Sequence, residues 1–517
     1  MAWIAILTGG AWLRFHDLAS RPFHADEAVN ALKLAELRES GVARYDPHHY
    51  HGNTLWILSH GFLQLHPGAD HKQPSEDSLR SFSALTGWLI LFIPLACRKT
   101  LGNAASLAWG IILSGSPGLL AINRSYIHES LFILCTISGI ACMEMASRSR
   151  HTVAWAIAAG VSWGLMVSTK ESWPLVLFCL SVGYGMTTLL LKRTQPHDPA
   201  RPGIRSPILG WAIGTALISA VAMYSSWGHH PLGVRDALRV FFIYENDPGH
   251  SKPWYYFLRL LFGSERLGRW ATAESMLIPF IVMGCYAVAR NATKHPTHLS
   301  WAIATLALIG IHSVIPYKTP WLMTLPFVGI SFIAAIGIQW FLECRIPRSL
   351  LLATLLILSL IWIGSGYRSA ILLPEHRTNR YSYSPTSPDL VRMVEQIERI
   401  ASIHPDHGSI PIDVIFPEGD NYWPLPWYLR DYKNTAWRIS IPEQIRTPIV
   451  ITPVDMKEAL THNMATDYTC EMRGLRAGMI LCLMIRQDLW TKLMESRNNQ
   501  IDGPRPPLMP SGILGDS

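Results

Sequence analysis

One grouping of reactive side chains in this chain is "HADEA", residues 24–28. It puts His24, Asp26 and Glu27 within four residues of each other, just after the first apolar stretch. Adjacent carboxylates can divide labour. One accepts a proton from an acceptor hydroxyl, while the other binds a metal or fixes a neighbouring cationic side chain. The same residues also read as a helix start, with Asp26 as N-cap of "EAVNALKLAELRES" and Glu27 favoured by the helix dipole.

Three further motifs carry a cation, two of them beside a carboxylate: Arg124, His128 and Glu129 in "NRSYIHES", Lys170 and Glu171 in "STKESW", and Tyr317 and Lys318 in "IPYKTPW". Singly, each cation reads as an interfacial anchor whose head snorkels to lipid headgroups. Together they suit a phosphate leaving group next to a base, with Arg124, Lys170 and Lys318 on the phosphate and a carboxylate on the acceptor. "RYDPHHYHG" adds Asp46, His48, His49 and His51. With His24, the set Asp46, His49 and His51 offers imidazole and carboxylate to a divalent cation. Its spacing matches no fixed metal pattern, and solvated loop histidines are the plainer reading.

Something must bring these motifs together. Of the 517 residues, 49% are hydrophobic and only 16% charged, against about a quarter charged in an ordinary globular protein. Apolar runs of about 17–21 residues recur, each long enough to cross a hydrocarbon core of about 30 Å as a helix. The pattern predicts a polytopic α-helical membrane protein with about eleven spans, at 1–15, 79–97, 104–122, 129–146, 152–168, 173–191, 208–226, 273–289, 299–315, 321–341 and 350–367. "TLWILSHGFLQLH", 54–66, is short and polar enough to lie along the interface instead. The N-terminal run has no basic segment before it and no small-residue cleavage site, so a cleaved signal peptide is not expected. The net charge of +7 is spread over short loops, which argues against a nucleic-acid partner.

Basic residues cluster in alternate short loops: Arg98 and Lys99; Arg148 and Arg150; Lys192 to Arg205; Arg290 and Lys294; Arg345 and Arg348. These loops are expected in the cytoplasm. The segments 16–78 and 227–272, the turns at Arg124, Lys170 and Lys318, and everything after 367 then face outward. Every motif above falls on that outer side. The loop 227–272 is rich in aromatics, suited to anchoring at the interface or to stacking on sugar rings.

The two domains expected are a transmembrane part, 1–367, and an outer α/β part, 368–517. In the latter "SPDLVRMVEQIERIASI" has helical spacing, "IPIDVIF", "AWRISI" and "TPIVIT" read as strands, and "PVDMKEALTHN" reads as a helix. The Pro/Gly-rich end is expected to be disordered. Six of the eight cysteines lie in apolar runs as small hydrophobes. Cys470 and Cys482 fall in the tail and could pair in an oxidising compartment.

"HADEA" after the first span and "YKTPWLMTLPF" before a late one resemble the GT-C glycosyltransferase clan, which includes protein O-mannosyltransferases and the lipid A aminoarabinose transferase. The ordered set "HADEAVNALKLAELRESGVARYDPHHYHGNTLW", "YIHESLF", "STKESWP", "YKTPWL", "SPTSPDLV" and "YWPLPWYLRDY" is similar to the subfamily of flippase-activity-associated proteins. The resemblance runs over nearly the whole chain. It implies inverting transfer of a sugar from a polyprenyl-phosphate donor to a lipid, glycan or protein acceptor, outside the cell (inner) membrane. On these motifs Asp26 takes the clan's catalytic acidic position, Glu27 its partner, and Lys318 the position near the donor phosphate. Ala25 stands where relatives are expected to have a second histidine, which weakens a metal role there. A transporter or flippase for lipid-linked sugars, or an accessory to one, is the alternative, but such folds carry mid-span charges and internal repeats. This chain shows few of the first and no sign of the second.

Overall fold

The structure is a computed structural model. It describes residues 1–48, 51–65, 74–194, 206–243, 248–263, 266–267, 270–271, 273–376, 378–417, 419 and 421–501. Contacts divide the chain into two units. Met1–Ser20 and Asn30–Tyr383 form the first; Arg21–Val29 and Ser384–Ser517 form the second. The division thus falls sixteen residues later than the sequence suggests. Asn379, Arg380 and Tyr381 account for this, because they bond within the first unit, Tyr381 to Glu274 at 2.6 Å and Arg380 to the Leu260 carbonyl at 2.8 Å.

In the first unit all eleven apolar stretches are helical, from Ala2–Phe15 to Arg348–Tyr367. Among the described residues, seven helices are long and apolar enough to cross a membrane. An eighth is counted when Asn103–Gly115 and Pro117–Asn123 are taken as one span bent by 59°. Ala2–Phe15 and Thr152–Val167 are apolar but shorter. At about 1.5 Å per residue the latter, with 16 residues, spans about 24 Å.

The bend falls at Ser116-Pro117. Proline cannot donate to the preceding turn, and Ser116 restarts the helix by accepting from the Leu119 amide at 3.3 Å. The carbonyls freed by the break are not left bare. Buried Arg14 donates to Leu113 O at 3.0 Å and Ser114 O at 3.3 Å, and its Nε reaches Asn123 Oδ1 at 3.0 Å. In a membrane interior such groups need protein partners.

Small residues let the helices approach closely. A Cβ at Gly284 would sit 1.9 Å from the Ile333 carbonyl, and one at Gly337 would sit 1.9 Å from that of Phe280. Helices Ile278–Arg290 and Thr324–Phe341 therefore touch backbone to backbone. Trp109, fully buried, ties the same layer by donating to Ser331 Oγ at 3.0 Å. Thr54–Leu65 is a separate 12-residue helix that buries Leu55, Trp56 and Leu63.

The second unit is a five-stranded mixed sheet with helices. Its order is Thr435–Arg438, Ile412–Ile415, Ile449–Pro453, Met479–Arg486, Tyr468–Arg476. The first three strands run parallel, and Met479–Arg486 is antiparallel to both its neighbours. Strand alternation splits the core. Ile449, Ile451, Leu481, Leu483 and Ile485 face the helix Pro388–Ile403, while Val450, Cys482 and Met484 pack with Leu460 on the other face. Ser387 caps that helix by accepting from the Asp389 amide at 3.2 Å. Cys470 and Cys482 form a disulfide, Cα to Cα 5.9 Å. The helix expected at 453–463 is only Lys457–Thr461, after a 3-10 turn. Residues 502–517, where disorder was expected, lie outside the described residues.

Candidate active site

Asp26 and Glu27 occupy the first turn of the helix Ala25–Ser40. The helix starts two residues earlier than an Asp26 cap requires. Glu27 does the capping, its Oε2 accepting from the His24 amide at 3.0 Å, the reach-back half of a capping box. The Glu27 side chain is fully buried, with Arg21 Nη1 at 3.6 Å. Asp26 keeps 47% of its side chain exposed, 3.8 Å from His24 Nδ1. Of the two carboxylates, Glu27 is committed to structure and Asp26 is available.

Within the first unit, the turn 168–172 organises a second group. Gly52 N–H donates to Thr169 O at 3.2 Å and Thr54 Oγ1 donates to Ser168 O at 2.8 Å. This pins the start of helix Thr54–Leu65 on the turn and sets His51 beside Glu171, Nδ1 to Oε2 2.7 Å. Lys170 Nζ donates to Glu129 Oε1 at 2.5 Å, both side chains buried. Glu129 opens the helix Glu129–Arg148, where the dipole also favours a carboxylate. His128 lies under His51, ring centroids 4.6 Å apart, with the edge of Trp56 at 5.9 Å. Its ring nitrogens are buried with no hydrogen-bond partner among the described residues. The Gly52 backbone also acts on the ring, in the direction that favours its protonated form.

The electrostatics follow. Burial works against charge on His51, yet the Glu171 carboxylate outweighs it and raises the imidazole pKa. Burial likewise opposes ionisation of Glu171, and His51 and then Lys170 overcome it, lowering that pKa to about 2. His128 goes the other way. Burial, then His51 and Lys170, hold its pKa well below 6.5, so it stays neutral.

Lys318 follows the helix Pro296–Val314, and its own amide donates to His250 O at 3.0 Å. Ser251 bridges Tyr317, and His250 bonds Tyr383 and packs against the Tyr317 ring at 5.0 Å. The Lys318 ammonium donates to Ile315 O. It is 1% exposed, and no carboxylate pairs with it among the described residues. Burial lowers its pKa. His312 lies within electrostatic reach of both Lys170 and Lys318.

Arg124 is surrounded by backbone carbonyls. Its buried guanidinium donates to the carbonyls of Leu13, Arg14, His16, Asp17 and Ala370, closing the C-terminal end of helix Ala2–Phe15. These bonds give Arg124 a structural role as a strut. Lys170 is likewise spent on Glu129.

The expected metal set does not assemble. Among the described residues, no three His, Cys, Asp or Glu side chains gather around one point. His24 faces Asp26, His51 is held by Glu171, and Asp46 accepts from the His48 amide at 2.9 Å. His49 lies outside the described residues. The described members of the set, His24, Asp46 and His51, share no common point, and no step is derived through a metal.

Sequence reading missed Arg21, His312 and Asn30. Asn30 joins Trp56 Nε1 at 3.2 Å to the Tyr126 carbonyl at 3.1 Å. A histidine six residues before Lys318, inside an apolar run, was the one legible hint of His312.

Helices and sheet together define a polytopic membrane protein of GT-C fold. The model of the dolichyl-phosphate-mannose-protein mannosyltransferase family matches residues 68–201. ArnT from Cupriavidus metallidurans bound to undecaprenyl phosphate superposes with a TM-score of 0.66 at 16% identity, covering 93% of this chain and 98% of that one. The Archaeoglobus fulgidus oligosaccharyltransferase AglB, in complex with an inhibitory peptide and a dolichol-phosphate, gives 0.52 at 13% identity, covering 97% and 78%. An Archaeoglobus fulgidus oligosaccharyltransferase in complex with Zn and sulfate gives a TM-score of 0.50 at 13% identity, covering 97% and 77%. No curated protein matches the sequence. The GT-C resemblance holds for the fold; none of these matches bears on the narrower subfamily.

Proposed function

We propose that this protein is a glycosyltransferase. It moves a sugar from a polyprenyl-phosphate donor to an acceptor on the outer face of the membrane, with inversion. The carrying observation is a fold shared along 93% of the chain with an undecaprenyl-phosphate-binding transferase structure. The half-exposed Asp26 supports it, at the position that the motif resemblance matches to the clan's catalytic acid.

In this reading Asp26 takes the proton of the acceptor hydroxyl as that oxygen attacks the anomeric carbon. The bond from that carbon to the donor phosphate breaks, and polyprenyl phosphate leaves with the electron pair. Lys318 supplies the counter-charge. A buried ammonium bonded to one carbonyl is costly, and an incoming phosphate offsets that cost. His128 stays neutral and offers one donor and one acceptor to sugar hydroxyls. Outward orientation is supported by the alternating basic loops and by the Cys470–Cys482 disulfide in the second unit, since disulfides persist in oxidising compartments.

The helix break at Ser116-Pro117 favours a second reading, a flippase for lipid-linked sugars, because transporters build midplane sites from broken helices. Here the groups at the break are already satisfied by Arg14, and Arg124 beyond it is a strut, so the break offers no open site. The test is to incubate purified protein with polyprenyl-phosphate sugars and measure released polyprenyl phosphate. Release that depends on the protein and an acceptor supports transfer. Lipid-linked sugar crossing proteoliposomes without release supports the flippase.

A further inference from the structure

We infer that Thr386 and Tyr428 are positioning residues for the Asp26 carboxylate, acting by clamping the main chain of Phe23. The inference rests on the reading of Asp26 as the base, and it gives work to two tail motifs, "SPTSPDLV" and "YWPLPWYLRDY", that the chemistry left unused.

Phe23 ends the loop that leads into the Asp-Glu turn. Both of its backbone polar groups are taken by side chains of the second unit. Its N–H donates to the Tyr428 hydroxyl at 2.8 Å, and its carbonyl accepts from Thr386 Oγ1 at 2.7 Å. Its ring is fully buried, 5.2 Å from that of Trp427. The next amide, His24, is held by Glu27. Three consecutive backbone polar groups ahead of Asp26 are therefore fixed by side chains, which sets the direction in which the helix Ala25–Ser40 begins.

The clamp is itself firmly held. Thr386 is 3% exposed and bridges Arg476, and the Ser387 amide donates to Leu475 O at 2.8 Å. Tyr428 ends the short helix Leu425–Tyr428, whose Leu425 lies in the sheet core. Arg430 stacks 3.9 Å over Trp427 and donates to its carbonyl at 2.6 Å. The two hydroxyls thus come from separate, well-packed segments and converge on one residue.

If Phe23 only fastened the segment to the sheet, its buried ring would suffice. Hydrogen bonds add direction, and catalysis is sensitive to direction: misplacing a reacting group by about 1 Å can cost roughly 10²-fold. Asp26 is less than one helical turn beyond the clamp.

The experiment uses full-length protein in nanodiscs, with Thr386→Val, Tyr428→Phe and the double variant. Each removes a hydrogen bond and keeps the shape. The double variant is expected to lose about 10–100-fold in kcat, with donor KM within about twofold and an unchanged melting midpoint. Thr386→Ser is expected to restore activity. Hydrogen exchange over residues 22–28 should rise while that over Met479–Arg486 does not. Wild-type kcat in the double variant, or a loss of kcat matched by a general loss of fold in both single variants, overturns the proposal. If wild-type protein releases no polyprenyl phosphate from any donor, the transfer reading falls instead. The exchange comparison then decides the clamp alone, and unchanged exchange over 22–28 overturns it.

Discussion

Lys170 Nζ sits 2.5 Å from Glu129 Oε1 across forty-one residues of sequence, with both side chains buried. The pair locks the turn after helix Thr152–Val167 to the first residue of helix Glu129–Arg148. Removing one partner strands the other charge, which typically costs about 3–5 kcal/mol. Lys170→Met should therefore lower the thermal midpoint sharply, and adding Glu129→Gln should recover most of it. A Lys170→Met variant that melts like wild type but fails to use donor would return Lys170 to the phosphate.

The His51–Glu171 contact should make stability depend on pH in a definite direction. Glu171, with a folded pKa of about 2, contributes fully above its ordinary value near 4.5 and loses that contribution as pH falls toward 2. His51 has a raised folded pKa, so its contribution is full below about 6.5 and fades as pH rises through the raised value. Wild-type melting should decline from pH 6 to pH 9, and His51→Gln should flatten that decline. Equal slopes in the two proteins would show that the ion pair does not operate.

The fold was legible where physics is local. Apolar runs gave eleven helices in place, because their length and hydropathy are stated residue by residue. The number long enough to span was not, since Thr152–Val167 and Ile278–Arg290 stop short. The strand Met479–Arg486 escaped notice because its middle, Leu481 to Ile485, is buried without alternation, and its partner Tyr468–Arg476 is a mostly half-buried edge strand with little apolar pattern of its own. Among site residues, types and spacing placed charge at helix ends but could not assign partners. Arg124 looks like Lys318 in sequence. Only the carbonyls of Leu13, His16 and Asp17, more than a hundred residues away, distinguish a strut from an open cation.

Lys318 carries the donor prediction. Lys318→Ala should lose about 2–4 kcal/mol of transition-state stabilisation, read from kcat/KM. Lys318→Arg should retain part of the rate. Unchanged turnover in a folded Lys318→Ala protein would leave the lysine as a loop fastener on Ile315 O.

Orientation has its own test. A cysteine introduced at Ser409, in the second unit, should react with a membrane-impermeant maleimide from outside, and one at Arg193 only from the cytoplasm. The Cys470–Cys482 bond should appear as a cross-linked peptide in unreduced digests. Labelling of Ser409→Cys from the cytoplasm alone would reverse the topology and remove the outer-face reading of every motif.

The Asp26 carboxylate provides the sharpest separation of enzyme from flippase. The helix Ala25–Ser40 takes its cap from Glu27, not from Asp26, so Asp26→Asn should leave the fold intact. Asparagine keeps the size and polarity of the side chain and cannot take the acceptor's proton. Loss of a general base typically costs about 10²–10⁴-fold, and that loss should appear in polyprenyl phosphate release with expression and melting unchanged. Glu27→Gln should behave differently. Its amide oxygen can still accept from the His24 N–H, but the charge facing Arg21 is gone, so the effect should fall on stability as well as on rate. The order of severity in rate, Asp26→Asn below Glu27→Gln, is what a base with a structural neighbour requires. Wild-type transfer by Asp26→Asn would remove the base. If lipid-linked sugar also crossed the membrane without release, the flippase reading would replace the enzyme.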